Sequence, residues 1–129
     1  MKLVVDEEKL YVLLKDFHQL TGLKVSFSKD YDTPILGVPY NICELCRYKQ
    51  LDREFYLRCK ASDKKAYDLA SRSDEPYIYE CHYHLTEALQ PVVVYGKHVG
   101  YFLIGQMLTD REKFIRLNRP TDYELFLLK

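Results

Sequence analysis

Four cysteines and one adjacent histidine are the side chains of this sequence that are best suited to metal or thiol chemistry. They follow one another along the chain as Cys43, Cys46, Cys59, Cys81 and His82. Thiols three residues apart on a helix share one face, so Cys43 and Cys46 could hold a soft metal ion together with later residues. The candidate ligands of such a metal ion or cluster are Cys43, Cys46, Cys59 and Cys81, and His82 could complete the set.

A metal site is one of three interpretations of these thiols. A structural zinc site usually has two close cysteine pairs, whereas this sequence has one pair and its other thiols are far apart. Free cysteine is also among the most buried residue types, so buried thiols without a metal agree with the pattern. Redox chemistry is the third interpretation, and the sequence leaves all three open.

Cys81 and His82 could also form a catalytic pair, but the local pattern argues against it. A thiol nucleophile needs a nearby imidazole and a third group that orients the imidazole. Residues 77–82 have the composition of a β-strand, in which adjacent side chains point to opposite faces. The sequence also lacks a glycine-rich phosphate loop, an acidic metal triad and a Ser/His/Asp arrangement. We therefore expect no enzymatic activity.

Length and charge limit the class of protein. A chain of 129 residues with 47% hydrophobic residues can bury one core, so we expect a single domain over residues 1–129. Lysine plus arginine equals aspartate plus glutamate at 19 each, which leaves no positive field for nucleic acid. An acidic N-terminus argues against a signal peptide, and no apolar run reaches membrane-spanning length. We expect a cytoplasmic protein, in which disulfides are uncommon.

The first half of the chain is expected to supply a helix, two strands and a cysteine-bearing helix. Apolar residues recur at helical spacing from Asp6 to Leu20, which predicts an amphipathic helix with Asp6 as its N-cap and Gly22 as its end. Residues 23–28 alternate as in a half-buried strand, and residues 35–38 allow a second, short strand. A helical segment beginning near Asn41 then carries the C-x2-C pair.

The second half is expected to supply further helices and a hairpin. Ser62-Asp63 could cap a new helix, so we expect two helices within residues 52–71. Residues 77–82 predict a strand, and residues 91–106 predict a hairpin of two long strands around a glycine turn. Two helical patterns follow in residues 110–129, and the second is apolar to its end. We expect this segment to continue into a further module or to pair with another copy.

The aromatic content indicates how the interior is built. The chain has 12 tyrosines, 6 phenylalanines and no tryptophan. Tyrosine hydroxyls need partners when they are buried, so such an interior suits a small-molecule cavity, although tyrosine often only borders a core. Gly100 and Gly105 lie inside the predicted last strand, where glycine indicates close approach of a ligand or of other backbone.

Several short motifs together resemble the PocR sensory domain. They are FHQLTGL at 17–23, NICELC at 41–46, Cys59 followed by Ser62-Asp63, YECH at 79–82, PVVVYGKHVGY at 91–101 and GQM at 105–107. Each motif is weak alone, but their order and spacing are fairly specific from about Leu10 to Leu108. The resemblance implies an α+β, PAS-like fold: a central antiparallel sheet with flanking helices packed on one side, enclosing a small-molecule pocket.

The resemblance also implies a function and a set of positions. Members look like input modules of AraC-type helix-turn-helix regulators or histidine kinases that sense simple hydrocarbon derivatives such as short diols. No helix-turn-helix is present, so an output module would lie beyond Lys129, with residues 110–129 as the connector. One departure concerns the family pattern C-H-A-G-L, because Tyr83 and His84 stand where it has a small residue and glycine. The family's cysteine, C-H and G-Q positions fall on Cys43, Cys59, Cys81, His82, Gly105 and Gln106.

We therefore expect a ligand-sensing regulatory domain with no required cofactor. Tyr79, Cys81 and Gln106 are expected to offer hydrogen bonds to a small molecule that lies between the sheet and the cysteine-bearing helices. The alternatives are a cysteine-based metal or redox sensor and a dimerisation module without ligand, and a homodimer is also compatible with sensing. The candidate ligand-binding residues are Cys43, Cys59, Tyr79, Cys81, His82, Tyr101 and Gln106.

Overall fold

A five-stranded antiparallel sheet organises the chain. The computed structural model describes residues 4–40 and 42–128. The strands are β1 (Val25–Ser28), β2 (Pro34–Val38), β3 (Tyr77–Glu80), β4 (Thr86–Val94) and β5 (Lys97–Met107), in the sheet order β2-β1-β5-β4-β3. The helices are α1 (Glu7–Thr21), α2 (Glu44–Lys49), α3 (Arg53–Ala70), α4 (Arg111–Asn118) and α5 (Asp122–Leu127). This architecture confirms the expected α+β, PAS-like class.

The hairpin of β4 and β5 is the centre of the sheet. Tyr95 and Gly96 form its two-residue turn with φ values of 51° and 76°, and such paired positive φ values match the twist of the adjoining strands. The predicted hairpin is thus confirmed, although β4 begins at Thr86, five residues before the predicted start at Pro91. The earlier start places Glu87 inside the sheet.

Helix α1 covers the edge formed by β1 and β2. Asp6 caps it by accepting a hydrogen bond from the Lys9 backbone N–H, and Gly22 ends it with φ of 72°. Both predicted ends are confirmed. The apolar side of α1 buries Leu14 against Val25 and Val38.

Helix α3 is continuous, so the prediction of two helices in this interval is wrong. Its single N-cap is Asp52, and its inward stripe contains the half-buried Asp63 and the buried Ala66 and Ala70 at helical spacing. Packing of that stripe on β3 and β4 outweighs the capping tendency of Ser62-Asp63, because tertiary contacts override local propensity.

The two long helices pack on opposite faces of the sheet. On β5, Phe102 and Ile104 contact the α1 core, whereas Tyr101 and Leu103 contact the α3 core. Successive residues of a strand point to opposite faces, so α1 and α3 lie on different sides. The expectation of helices on one side is therefore corrected.

Strand β3 ends at Glu80, and the predicted strand through His82 is wrong. The Cys81 N–H donates to the Leu85 carbonyl over 2.9 Å, and the His84 N–H donates to the Cys81 carbonyl over 3.0 Å. His84 has a φ of 63°, which a strand does not allow. These residues form a turn, so the argument that Cys81 and His82 face opposite sides of a strand does not apply.

The cysteine-bearing helix is shorter than predicted. It begins at Glu44 with Cys43 at its N-cap, so only Cys46 of the C-x2-C pair lies within it. The predicted start near Asn41 lies outside the described residues.

The C-terminal segment forms the two predicted helices and packs on α2. Asp110 caps α4, and a reciprocal capping box of Thr121 and Glu124 begins α5. Phe114 of α4 is fully buried in a core with Leu45 and Leu85. None of the helices in the described part of the chain is long and apolar enough to cross a membrane.

Candidate functional site

A small cavity lies on the face of the sheet that α3 covers. Its volume is about 90 Å³, and its floor comes from β1, β4 and β5 through Ser26, Glu87 and Leu103. Helices α2 and α3 and the turn after β3 supply its walls. The polar and sulfur side chains that line it include Cys46, Cys59, Asp63, Cys81, Glu87 and Gln106.

Two carboxyl groups and a tyrosine hydroxyl form the polar centre of this site. The Tyr79 hydroxyl donates to Asp63 Oδ1 over 3.4 Å and also lies within hydrogen-bonding reach of Glu87. Glu87 is only 7% exposed, and its Oε2 atom has no hydrogen-bond partner among the described residues. A buried acceptor without a donor is costly, so this atom is the place in the cavity that a ligand donor would satisfy.

Burial controls the protonation of the two carboxyl groups. It raises the pKa of Asp63 to about 6, against the smaller lowering effects of Tyr79 and Lys60. Burial, together with the smaller effect of the nearby Asp63 charge, raises the pKa of Glu87 to about 7. Two carboxylates in one desolvated site repel each other, so near neutral pH the pair tends to retain a proton.

His82 pairs with Cys59. The Cys59 Sγ and His82 Nε2 atoms are 3.1 Å apart, and the Phe55 ring packs edge-on against the imidazole. Burial lowers the pKa of His82 and raises the pKa of Cys59. Both shifts favour the neutral thiol and neutral imidazole, which is the opposite of an activated thiolate–imidazolium nucleophile.

The C-x2-C pair joins two neighbouring cavities. Cys46 is buried in the wall of the first cavity, whereas Cys43 is exposed and lines a second cavity of about 110 Å³. A hydrogen bond from the Cys46 side chain lowers the pKa of Cys43 to about 7, and the same contact together with burial raises the pKa of Cys46. Gln106 lines both cavities, and its Oε1 accepts the Cys43 N–H over 3.2 Å.

All four cysteines are free thiols in this structure. Three of them, Cys46, Cys59 and Cys81, line the first cavity. Across residues 4–40 and 42–128, no group of three or more histidine, cysteine, aspartate or glutamate side chains is arranged to hold a metal ion. Three of the four thiols therefore lie around one cavity.

Six of the seven predicted ligand-binding residues line three spaces. Cys59, Cys81 and Gln106 line the first cavity, and Cys43 lines the second. Tyr79 and His82 line a shallow groove between α3 and β3, although their hydrogen bonds connect them to the cavity wall. Tyr101 lines none of these spaces and packs against Tyr67 in the α3 core.

The sequence analysis missed Asp63 and Glu87. A signal for Glu87 is present, because it stands between Leu85 and Leu89 in an alternating pattern whose apolar phase it interrupts. A charged residue at an inward position of a strand is an informative exception. Asp63 has a similar signal, since it lies on the same helical stripe as Ala66 and Ala70.

The fold and the site together define an α+β domain with a small cavity between a sheet and its helices. Residues 4–125 match the family model described as "Sensory domain found in PocR", so the chain belongs to the family of PocR sensory domains. The resemblance seen in the sequence is thereby confirmed.

A curated relative supports the same assignment. The chain is 33% identical over 103 residues to "Regulatory protein PocR" from Salmonella typhimurium (strain LT2), and the alignment covers 80% of this chain. It covers 34% of that protein, so the chain spans about a third of the length of the relative. No solved structure matches the chain.

Proposed function

We propose that this sensory domain is the input module of a cytoplasmic regulatory protein. In this proposal the domain binds a short diol or a similar hydrocarbon derivative in the first cavity and has no catalytic role. The observation that carries the proposal is the buried, unpartnered Glu87 Oε2 atom in a cavity that both apolar and polar side chains line. Ligand sites are mostly apolar and contain a few placed polar groups that fix the ligand.

The size of the cavity supports a very small ligand. Its volume of about 90 Å³ lies far below the roughly 300–1,000 Å³ that drug-sized ligands need. Ile42, Phe55 and Leu103 offer apolar contacts, and Gln106 and the carboxyl groups offer polar ones. A molecule with a few carbon atoms and hydroxyl groups matches this combination.

The second cavity supports a route by which binding is communicated. Gln106 lines both cavities, and Leu127 and Leu128 at the end of α5 line the second. A ligand that binds one packing of α2 and α5 more tightly shifts the population toward it. In the proposal, an output module that controls transcription or phosphorylation responds to this shift, and the domain acts within a homodimer.

A cysteine-based metal or redox sensor is the second candidate function. It is favoured by the three thiols at one cavity, Cys46, Cys59 and Cys81. Native mass spectrometry of protein purified without oxygen distinguishes the two candidates and also counts subunits. A mass increase equal to a metal ion or cluster supports the sensor on cysteines, whereas a mass equal to the chain alone supports the small-molecule site.

A thermal-shift and calorimetric screen of propylene glycol and related small molecules tests the main proposal. Specific binding stabilises the folded state by RT ln(1 + L/Kd), where L is the free ligand concentration, so the melting temperature rises with the ligand concentration. Substitution Gln106→Leu is expected to weaken binding, because it removes a polar group from the cavity. Gln90→Leu is the matched control, since Gln90 lies on the opposite face of β4 and hydrogen-bonds locally to Pro91. Equal affinity in both variants contradicts the placement of the ligand in this cavity.

A further inference from the structure

We propose that Glu87 and Asp63 select the ligand by its hydrogen-bond donors, so that the cavity binds hydroxyl or protonated amine groups and rejects carboxylates. This inference rests on the proposed function and assigns the chemical class of its ligand. The shared chemistry of the accepted ligands is a donor group without negative charge.

Glu87 occupies a buried, inward position of the sheet. Leu85, which directly precedes β4, and Leu89 within it flank Glu87 on the inward side and are 2% and 0% exposed. An acidic side chain at such a position cannot reach bulk water, and its Oε2 atom finds no donor within the described residues. Charged groups that are buried need a partner, so a donor from the cavity is what this side chain lacks.

Tyr79 and Lys24, two donors near the carboxyl groups, already have hydrogen-bond partners. The single Tyr79 hydroxyl proton serves Asp63, although two carboxyl groups lie within its reach. The Lys24 ammonium also lines the cavity, but it donates to the carbonyls of Pro39 and Tyr40. The Tyr83 hydroxyl is buried without a partner in the described part of the chain, and it lies close to Glu124.

Neither cavity carboxyl group, Asp63 or Glu87, has a cation as its ion-pair partner in the described part of the chain. The Gln106 Oε1 atom adds another acceptor and is occupied by the Cys43 N–H. A ligand carboxylate would meet the negative charge that the carboxyl pair keeps and no uncommitted cation, and like charges in a desolvated site repel strongly.

Three matched compounds of three carbon atoms test the inference by isothermal titration calorimetry. Propylene glycol has two hydroxyl groups, isopropanolamine has an ammonium in place of the terminal hydroxyl, and lactate has a carboxylate in place of the terminal CH2OH group. We expect the full chain to bind propylene glycol or isopropanolamine, and the tighter of the two identifies the donor. Lactate is expected to show no saturable binding.

Variants at Glu87 test which group recognises the donor. A hydrogen bond to a charged group contributes enough that its loss lowers affinity about 10- to 100-fold. Glu87→Gln keeps the side-chain shape and is expected to lose about tenfold, and Glu87→Leu removes the acceptor and is expected to lose more. Glu124→Gln is the matched control, because Glu124 is equally buried at 6% exposed and does not line the cavity.

The outcomes separate this inference from the proposed function. Full affinity in Glu87→Leu for a compound that binds the unaltered chain overturns the inference and leaves the small-molecule site standing. Lactate binding as tight as propylene glycol binding overturns it in the same way. If none of the three compounds binds the unaltered chain, both this inference and the proposed binding of a diol-like ligand are overturned. Circular dichroism of each variant verifies that the fold is retained.

Discussion

At the scale of single residues, the cavity carboxyl groups determine how stability depends on pH. Burial raises the pKa of Glu87 from 4.5 to about 7 and the pKa of Asp63 from 3.8 to about 6. At pH values between the unfolded and the folded pKa of each group, the folded domain binds more protons than the unfolded chain. The free energy of unfolding therefore falls as pH rises. We expect a decrease of at most about 3 kcal/mol from Glu87 between about pH 4.5 and pH 7.

Urea unfolding at several pH values measures this dependence. Glu87→Gln should flatten the decrease, because a neutral amide does not titrate. Glu124→Gln should leave it in place: burial of Glu124 alone raises its pKa, but hydrogen bonds from Lys49 and Thr121 outweigh burial and lower it. Glu124 therefore stabilises the fold above its unfolded pKa and loses this effect as pH falls. A pH profile that is identical in the unaltered chain and in Glu87→Gln contradicts the prediction.

The four thiols are expected to differ in reactivity. Cys43 is exposed, and the hydrogen bond from Cys46 lowers its pKa to about 7, whereas burial raises the pKa of Cys81 to about 11. Thiolate is the nucleophile, so near neutral pH iodoacetamide should alkylate Cys43 about tenfold faster than an unperturbed thiol. Peptide mass spectrometry over time identifies the labelled residue. Cys46→Ala should slow labelling of Cys43, Cys81→Ala should not, and labelling of Cys59 first contradicts the prediction.

The sequence indicated the thiols of this site better than its carboxyl groups. Cysteine is rare and chemically distinct, so Cys59 and Cys81 are identifiable without any structure, and both line the cavity. Glu87 was missed because its strand begins at Thr86, before the predicted start, and acidic residues usually lie on the surface. Tyr101 shows the converse error, since an inward aromatic side chain can fill a core instead of lining a site.

At the scale of secondary-structure elements, Gly100 allows β5 to pack closely on β1. A Cβ atom at Gly100 would lie 2.5 Å from Phe27 Cζ and 2.9 Å from the Ser28 carbonyl oxygen. Overpacking of this kind costs about 1–3 kcal/mol, so Gly100→Ala should lower the free energy of urea unfolding by that amount. Gly37→Ala is the control, because its nearest atoms are the mobile Lys24 Nζ at 3.3 Å and the Ser26 Cβ at 3.4 Å. Equal losses in both variants contradict this account.

Elements whose signals are local were predictable, and elements that depend on packing were less so. The cap at Asp6 and the glycine turn of the hairpin require only neighbouring residues, and the structure contains both. Helix α3 passes through Ser62-Asp63 because a distant sheet holds its inward stripe. Strand β3 stops at Glu80 because the backbone of Cys81 bonds to Leu85, a contact that composition does not reveal.

At the scale of the whole molecule, the sheet separates a side that is expected to respond to ligand from one that is not. The first cavity lies between the sheet and helices α2 and α3. Gln106 also lines the second cavity, which Leu127 of α5 borders, whereas α1 packs on the other side of the sheet. A ligand that fixes α2 should therefore also stabilise α5. Helix α1 should remain unchanged, because its core with Val25 does not include the cavity residues.

Hydrogen exchange with and without saturating propylene glycol measures this asymmetry. Amides of α2 and α5 should exchange more slowly with ligand, because local opening of these elements becomes less frequent, and those of α1 serve as the internal control. In Gln106→Leu at a concentration that restores saturation, α3 should still be protected while α5 is not, since the side chain shared by both cavities is lost. Equal protection of α1 and α5 would indicate global stabilisation and contradict a directed route. Protection of α5 that persists in Gln106→Leu would leave the route intact but exclude Gln106 from it, and the contact of α2 with α5 would then be the remaining connection.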